Sequence, residues 1–355
     1  MTSTVDKSKD EQIKVYNKRE ENILETLRLV EGSSLWSITF RRMRRDQLGM
    51  FGFGIVIFLL ALGIAAFLIQ QYDNLFGLGN PTADPWDQNN YFIELWIPGT
   101  EKYIRLIAHP QYILPGEQSI PPCAKYPFGT DTRGYDIFSR TIFGTPLSLA
   151  LGLAGQMATS VIGMIVGAVS GYYGGLFDDI IQRINEVIIG LPDFFLFIFA
   201  VALFREIKIF NFDGGYYIIV LTILSLISWG GTSIIVRSTV LSLKAREFIM
   251  AEHALGADDK RIIFKHIIPN AMSPIIIITT LGIAGTIMSI AGLAFFGFGD
   301  PTAVSWGDDL AYHRDNLLTY WWMPTFPAMM IFLTMLGFNL LGDALRDALD
   351  PKLKR

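Results

Sequence analysis

Five stretches of the chain carry no charged residue: Leu48 to Ile69, Leu147 to Ser170, Tyr216 to Val236, Ala271 to Phe298 and Met323 to Leu341. Wound as α-helices, each covers roughly 30 Å, the thickness of a bilayer's hydrocarbon core. A sixth apolar block, Val187 to Phe204, contains a single charge, Asp193. The pattern predicts an all-α membrane protein with six transmembrane helices.

The polar intervals organise these spans. Residues 1–47 form a charge-dense N-terminal segment in which Ile13, Tyr16, Ile23, Leu24, Leu27 and Val30 recur at helical spacing, the pattern of a weak amphipathic helix. Arg41, Arg42, Arg44 and Arg45 stand directly before the first span, 48–72. By the positive-inside rule they place the N-terminus in the cytoplasm, and six spans return the tail, 344–355 with Arg346, Lys352, Lys354 and Arg355, to the same side. The interval after the fourth span holds Arg237, Lys244, Arg246, Lys260, Arg261 and Lys265 and falls on that side too. Residues 73–145 become an extracytoplasmic insertion, broken by Asn80-Pro81, Asp84-Pro85, Pro115-Gly116 and Pro121-Pro122. The first span begins too far into the chain for a cleavable signal and is expected to remain as an anchor.

Half of the 355 residues are hydrophobic and 17% are charged, too few charges for an ordinary soluble domain of this length. The basic residues gather at helix ends rather than on one face, and no nucleic-acid partner is expected. Cys123 is the single cysteine, which rules out an internal disulfide. His109, His253, His266 and His313 lack metal-ligand spacing, and no Gly-x-x-x-x-Gly-Lys-Ser/Thr loop is present to cradle a nucleotide.

In the basic interval, good helix formers run from Ala245 to Leu255 and meet Gly256, a residue suited to a left-handed helix cap. Asp258 can cap a second helix, expected to end before Pro269. Read from the residues, this helix, turn and helix fits either a plain connector or a docking element. In the third span, Asp193 follows Pro192; a carboxylate at mid-membrane costs about 2.5–3.5 kcal/mol on insertion scales, so an interfacial or capping position is the main expectation and a pathway or gating role the second. The glycine-rich turn Gly171 to Gly175 is expected to reverse the chain, and Gly163, Gly167 and Gly171 allow close helix packing.

The loop resembles the EAA loop of binding-protein-dependent ABC importer permeases. In the pattern Glu-Ala-Ala, three residues, Gly, then Leu-Pro, Gly256 and Pro269 match the glycine and proline and Ala251 the first alanine, while Met250, Glu252 and Ile268 stand where Glu, Ala and Leu are usual. Pro127-Phe128-Gly129-Thr130-Asp131, Gly134, Asp136, Ser139-Arg140, Gly144 and Ser148-Leu149, with Gly171-Tyr172-Tyr173-Gly174-Gly175, narrow the resemblance to the C-type permease of dipeptide and oligopeptide importers. Tyr135 replaces the familiar arginine.

That resemblance implies a type I ABC importer bundle, with a permease domain over 146–343 and a coupling loop over 245–269. Its ATPase-coupling residues would be Glu247, Met250, Ala251, Glu252, Leu255, Gly256, Asp258 and Pro269. It implies a second homologous permease, two ATP-binding cassette ATPase subunits carrying ATP and Mg, an extracytoplasmic substrate-binding protein and membrane lipid as partners. The chain itself would hold no cofactor and no catalytic site. Oligosaccharide import in the same family is the alternative substrate reading. A secondary transporter, a different class, would need polar groups buried at mid-membrane, and the spans look almost free of them.

Overall fold

The computed structural model describes residues 35–76, 91–96, 103–108, 116–204, 215–300 and 303–349. A short helix α1 (Leu35–Met43) leads into α2 (Gln47–Phe76). The insertion contains an antiparallel hairpin, β1 (Tyr91–Trp96) with β2 (Tyr103–Ala108), a small exception to the all-α expectation. Then follow α3 (Ile137–Tyr173), α4 (Gly175–Ile189), α5 (Asp193–Phe204) and α6 (Gly215–Lys244). The loop region holds α7 (Glu247–Ala254), α8 (Asp259–Arg261), a π-helical stretch Ile262–Ile267 and α9 (Ile268–Asn270). The chain closes with α10 (Met272–Leu293), a stretch Ala294–Phe298 kinked at Gly297 (φ +86°), α11 (Trp306–His313) and α12 (Trp322–Leu349). Among the described residues five helices are long and apolar enough to cross a membrane, and α4 with α5 makes a sixth, bent by 90°. The expected amphipathic helix before Val30 lies outside the described residues.

The bundle is built on the seam between α3 and α6. A Cβ added at Gly163 would lie 2.8 Å from the Trp229 carbonyl oxygen, and one at Gly167 would lie 2.4 Å from that of Ser233. The missing side chains let two backbones touch, which in lipid, where burial from water supplies no drive between helices, is how close contact is gained. α10 joins α3 through side chains: Gln156 Nε2 donates to Ser160 Oγ (3.1 Å), while Thr286 and Thr279 donate to Gln156 Oε1 (3.0 Å) and Ser160 Oγ (2.8 Å). The spans are therefore less free of polar groups than their lack of charge suggests. On the other side, Val56 and Leu59 of α2 meet Leu149, Ile283, Ile287, Trp306, Ile331 and Phe338 in the largest apolar core.

Several boundaries differ from expectation. Span two begins at Ile137, earlier than residue 146, because Asp136 caps it and Pro146 is tolerated inside. Its far end runs helically through Gly171 to Tyr173, and the chain turns only at Gly174 and Gly175, where φ is +67° and +62°. Val187 to Phe204 is not one straight span: the chain breaks at Gly190 to Pro192. Arg237, counted with the basic loop, lies inside α6 and pairs with Asp178 of α4, Nε to Oδ1 at 2.6 Å.

Gly167→Val is expected to lower the thermal midpoint of the purified protein in detergent, by about 2 kcal/mol or more of lost packing. Gly231→Ala, where an added Cβ meets nothing within 4 Å, serves as the control and should leave it unchanged.

Candidate functional site

The segment 245–270 hangs from the common end of α3, α6 and α10. Ile249, Ile262, Ile263 and Ile267 are fully buried against Ala168, Tyr172, Val236 and Val240. Tyr172 ties the two halves of the segment together: its hydroxyl donates to Asp259 Oδ1 (2.7 Å) and lies 3.1 Å from His253 Nε2, and its carbonyl accepts from Lys244 Nζ (2.6 Å). Ile249 is the one fully buried side chain of α7. Its other apolar residues face out: Phe248, Met250 and Leu255 are 43%, 54% and 83% exposed.

The turn behaves as glycine chemistry requires. Gly256 has φ +76°, its N–H donates to the His253 carbonyl (3.0 Å) and that of Ala257 to Glu252 (3.1 Å). These two bonds make a Schellman cap, which satisfies the last carbonyls of α7 and reverses the chain. Asp258 opens α8 with extended backbone, but its side chain makes no capping bond, contrary to expectation. Nor does the second helix end before Pro269. Ile262–Ile267 is π-wound, with the Ile268 N–H reaching Ile263, and helix continues through α9. The wider turn relieves the clash a proline ring would make with the carbonyl four residues back.

Of the sequence-selected residues, the structure gathers Glu247, Met250, Ala251, Glu252, Leu255 and Gly256 on one short helix and its cap. Glu247, Met250 and Ala251 are exposed, while Glu252 turns toward His266, 3.4 Å away. Pro269 is exposed further along the segment and Asp193 belongs to the broken span, apart from the others. Sequence reasoning missed Phe248 and Phe264, 43% and 61% exposed, and the brace at Tyr172.

At the opposite end of α3, the residues of the Gly-Thr-Asp and Ser-Arg pattern form a buried bracket. Thr130 Oγ1 donates to the Glu117 carbonyl (2.6 Å) and accepts from the Ile120 N–H (2.9 Å). Asp131 Oδ1 accepts from the N–H groups of Arg133 and Tyr135, each at 2.8 Å. Asp136 caps α3 through the Ser139 N–H (3.0 Å), and burial pushes its carboxyl up to about 6. Arg140 Nε donates to Asp309 Oδ1 of α11 (2.8 Å), both side chains more than nine-tenths buried. Below that pair, Trp306 Nε1 donates to the Thr141 carbonyl (2.9 Å), and the Trp306 N–H to Ser148 Oγ (3.1 Å). Ser148 lies about 16 Å along α3, so the chain after α10 re-enters the bundle before α11 leads it out again.

Among the described residues no three His, Cys, Asp or Glu side chains are grouped to hold a metal ion. A six-span bundle with a broken third span and an anchored helix carrying an apolar exposed ridge defines a membrane-embedded transport subunit.

Comparison with known proteins is specific. The family model for the binding-protein-dependent transport system inner membrane component matches residues 161–355, and that for the N-terminal TM domain of oligopeptide transport permease C matches residues 34–90. The chain is 32% identical to the oligopeptide transport system permease protein OppC of Bacillus subtilis (strain 168), over 91% of each chain. It is 41% identical to the dipeptide transport system permease protein DppC of the same organism, over 67% of this chain and 72% of that one. Identity is 32% with the glutathione transport system permease protein GsiD of Escherichia coli O157:H7, over 96% and 100%. The chain belongs to the binding-protein-dependent ABC importer permeases, in their dipeptide and oligopeptide branch. It is thus a multi-pass inner-membrane component that works within an ABC transporter complex.

Breaking the bracket should destabilise the subunit. Arg140→Ala or Asp309→Ala each strands a buried charge and is expected to cost about 3–5 kcal/mol, read as a fall in thermal midpoint in detergent. The double change Arg140→Met with Asp309→Leu should recover most of that loss.

Proposed function

We propose that this chain is one of the two membrane-spanning subunits of an ATP-driven importer of dipeptides or oligopeptides. The observation that carries this reading is α7: a helix held on the bundle by Ile249, presenting Phe248, Met250 and Leu255 outward at its capped end. Such an apolar ridge fits a hydrophobic groove on a partner, the helix-in-groove mode of recognition. The named relatives, peptide permeases, support a cassette ATPase as that partner and peptides as the substrate.

The mechanism is alternating access. ATP and Mg sit on two ATPase subunits, since this chain has no phosphate-cradling loop. Closure of the ATPase pair moves α7, and the rigid Gly256 cap and the Tyr172 brace pass that movement to α3 and α6. A second homologous permease supplies the other half of the path, and an extracytoplasmic binding protein delivers substrate. Both termini and residues 245–269 lie in the cytoplasm, and the insertion lies outside. Met250, at the position of the usual glutamate, contributes apolar contact, while Glu247 offers an exposed charge one turn earlier.

Gly256→Val forces a β-branched residue into a left-handed conformation, at a cost of roughly 1–2 kcal/mol, and tilts α7 out of line. Uptake and ATPase stimulation are expected to fall together, with normal membrane insertion; Glu252→Ala should be milder. Normal uptake by Gly256→Val at normal expression would remove the coupling assignment. Orientation is tested at Cys123, which is exposed: an impermeant thiol reagent should label it on intact cells, and labelling only after lysis would reverse the topology.

A further inference from the structure

The break between α4 and α5 falls midway along the α6 span. α4 runs antiparallel to α6: Asp178 pairs with Arg237 near the loop end, and the Asn185 amide sits against Gly230. Past the bend, Phe197 and Val201 of α5 pack with Ile219, Val220, Ile223 and Leu224 of the same helix. Both halves therefore meet α6 around residues 224–230, roughly 20 Å from either end of its 30 residues. Gly190, Leu191, Pro192 and Asp193, which make the break, are all exposed on the subunit.

Irregular backbone at that depth is stable only where it is covered by protein or lines water, because hydrocarbon satisfies none of its polar groups. A carboxylate faces the same restriction more strongly. No described residue forms a hydrogen bond or ion pair with the Asp193 carboxylate. It also opens α5 at the helix end that suits negative charge. A second signal comes from Asn185, 1% exposed, whose amide oxygen and nitrogen both lack a partner among the described residues. Asp193 thus stands exposed at the break itself, while Asn185, enclosed between α4 and α6 five residues earlier, leaves a second polar group unspent beside it. Next to Asp193, Phe194 begins the wall of an apolar groove of about 560 Å³, continued by Met288, Phe295, Phe296, Phe332 and Met335.

We propose that this elbow lines the water-filled path, and that Asp193 receives the ammonium group of a peptide in transit while the adjoining groove takes its apolar side chains. The inference rests on the peptide-importer reading and specifies what that path recognises: a free amino terminus or basic side chain, with apolar bulk beside it. It also reverses the expectation that Asp193 sits at the membrane interface.

The test uses the complete importer in proteoliposomes, with Cys123→Ser and Leu191→Cys introduced so that a thiol stands two residues from the carboxylate. Hydrophilic cationic and anionic methanethiosulfonates of known intrinsic reactivity are compared by mass shift of this subunit. Both should react, the cationic reagent favoured about tenfold. Adding Asp193→Asn should abolish that preference, and binding protein loaded with dipeptide should slow the labelling. An unreactive thiol in both nucleotide-free and vanadate-trapped states would show the elbow covered and overturn the proposal. A charge preference unchanged by Asp193→Asn, or no protection by dipeptide, would do the same. Absence of ATP-dependent dipeptide uptake by the unmodified complex would instead remove the peptide reading, while leaving the charge-selective labelling as evidence for a hydrated anionic path.

Discussion

Everything in this subunit is placed by the contact between the backbones of α3 and α6. Apolar side chains gain nothing by leaving lipid for one another, so the seam has to be close to be stable, and small residues along α3 make it close. One end of that seam gives Tyr172, Val236 and Val240 as the floor on which Ile249, Ile262 and Ile267 rest. Midway along it, α6 offers Gly230 to the polar elbow. A change in the spacing of these two helices would move both places at once.

The two ends of α3 are held by different forces. At the loop end a set of buried isoleucines packs without direction, and Tyr172 adds hydrogen bonds to Asp259 and Lys244. At the other end it is the Arg140–Asp309 charge pair, with the Tyr135 ring 5.0 Å from the Arg140 guanidinium. Directional bonds of that kind fix the angle at which α11 enters the bundle, and removing one partner leaves a charge stranded.

The spans were legible because hydrocarbon demands long uncharged runs, and the Gly256 cap was legible because few residues other than glycine hold that backbone. Pro269 misled, since the rule that proline ends a helix presumes an α-turn before it, and here the turn is π-wound. The Gln156 network was invisible to a search for charges. Arg140 and Asp309 are 169 residues apart, and no spacing rule joins them. Asp193 was visible as an oddity, but its depth depends on how α4 and α5 pack on α6, which no local pattern encodes.

A π-wound stretch, Ile262–Ile267, precedes α10, and a kink at Gly297, where φ is +86°, follows it. The π-wound stretch carries one residue more than an α-turn would, and an extra residue advances a helix by about 100° about its axis. The fifth span is therefore out of phase with the segment before it, and that extra residue sets the rotation at which its stripe of Thr279 and Thr286 meets Ser160 and Gln156 of α3.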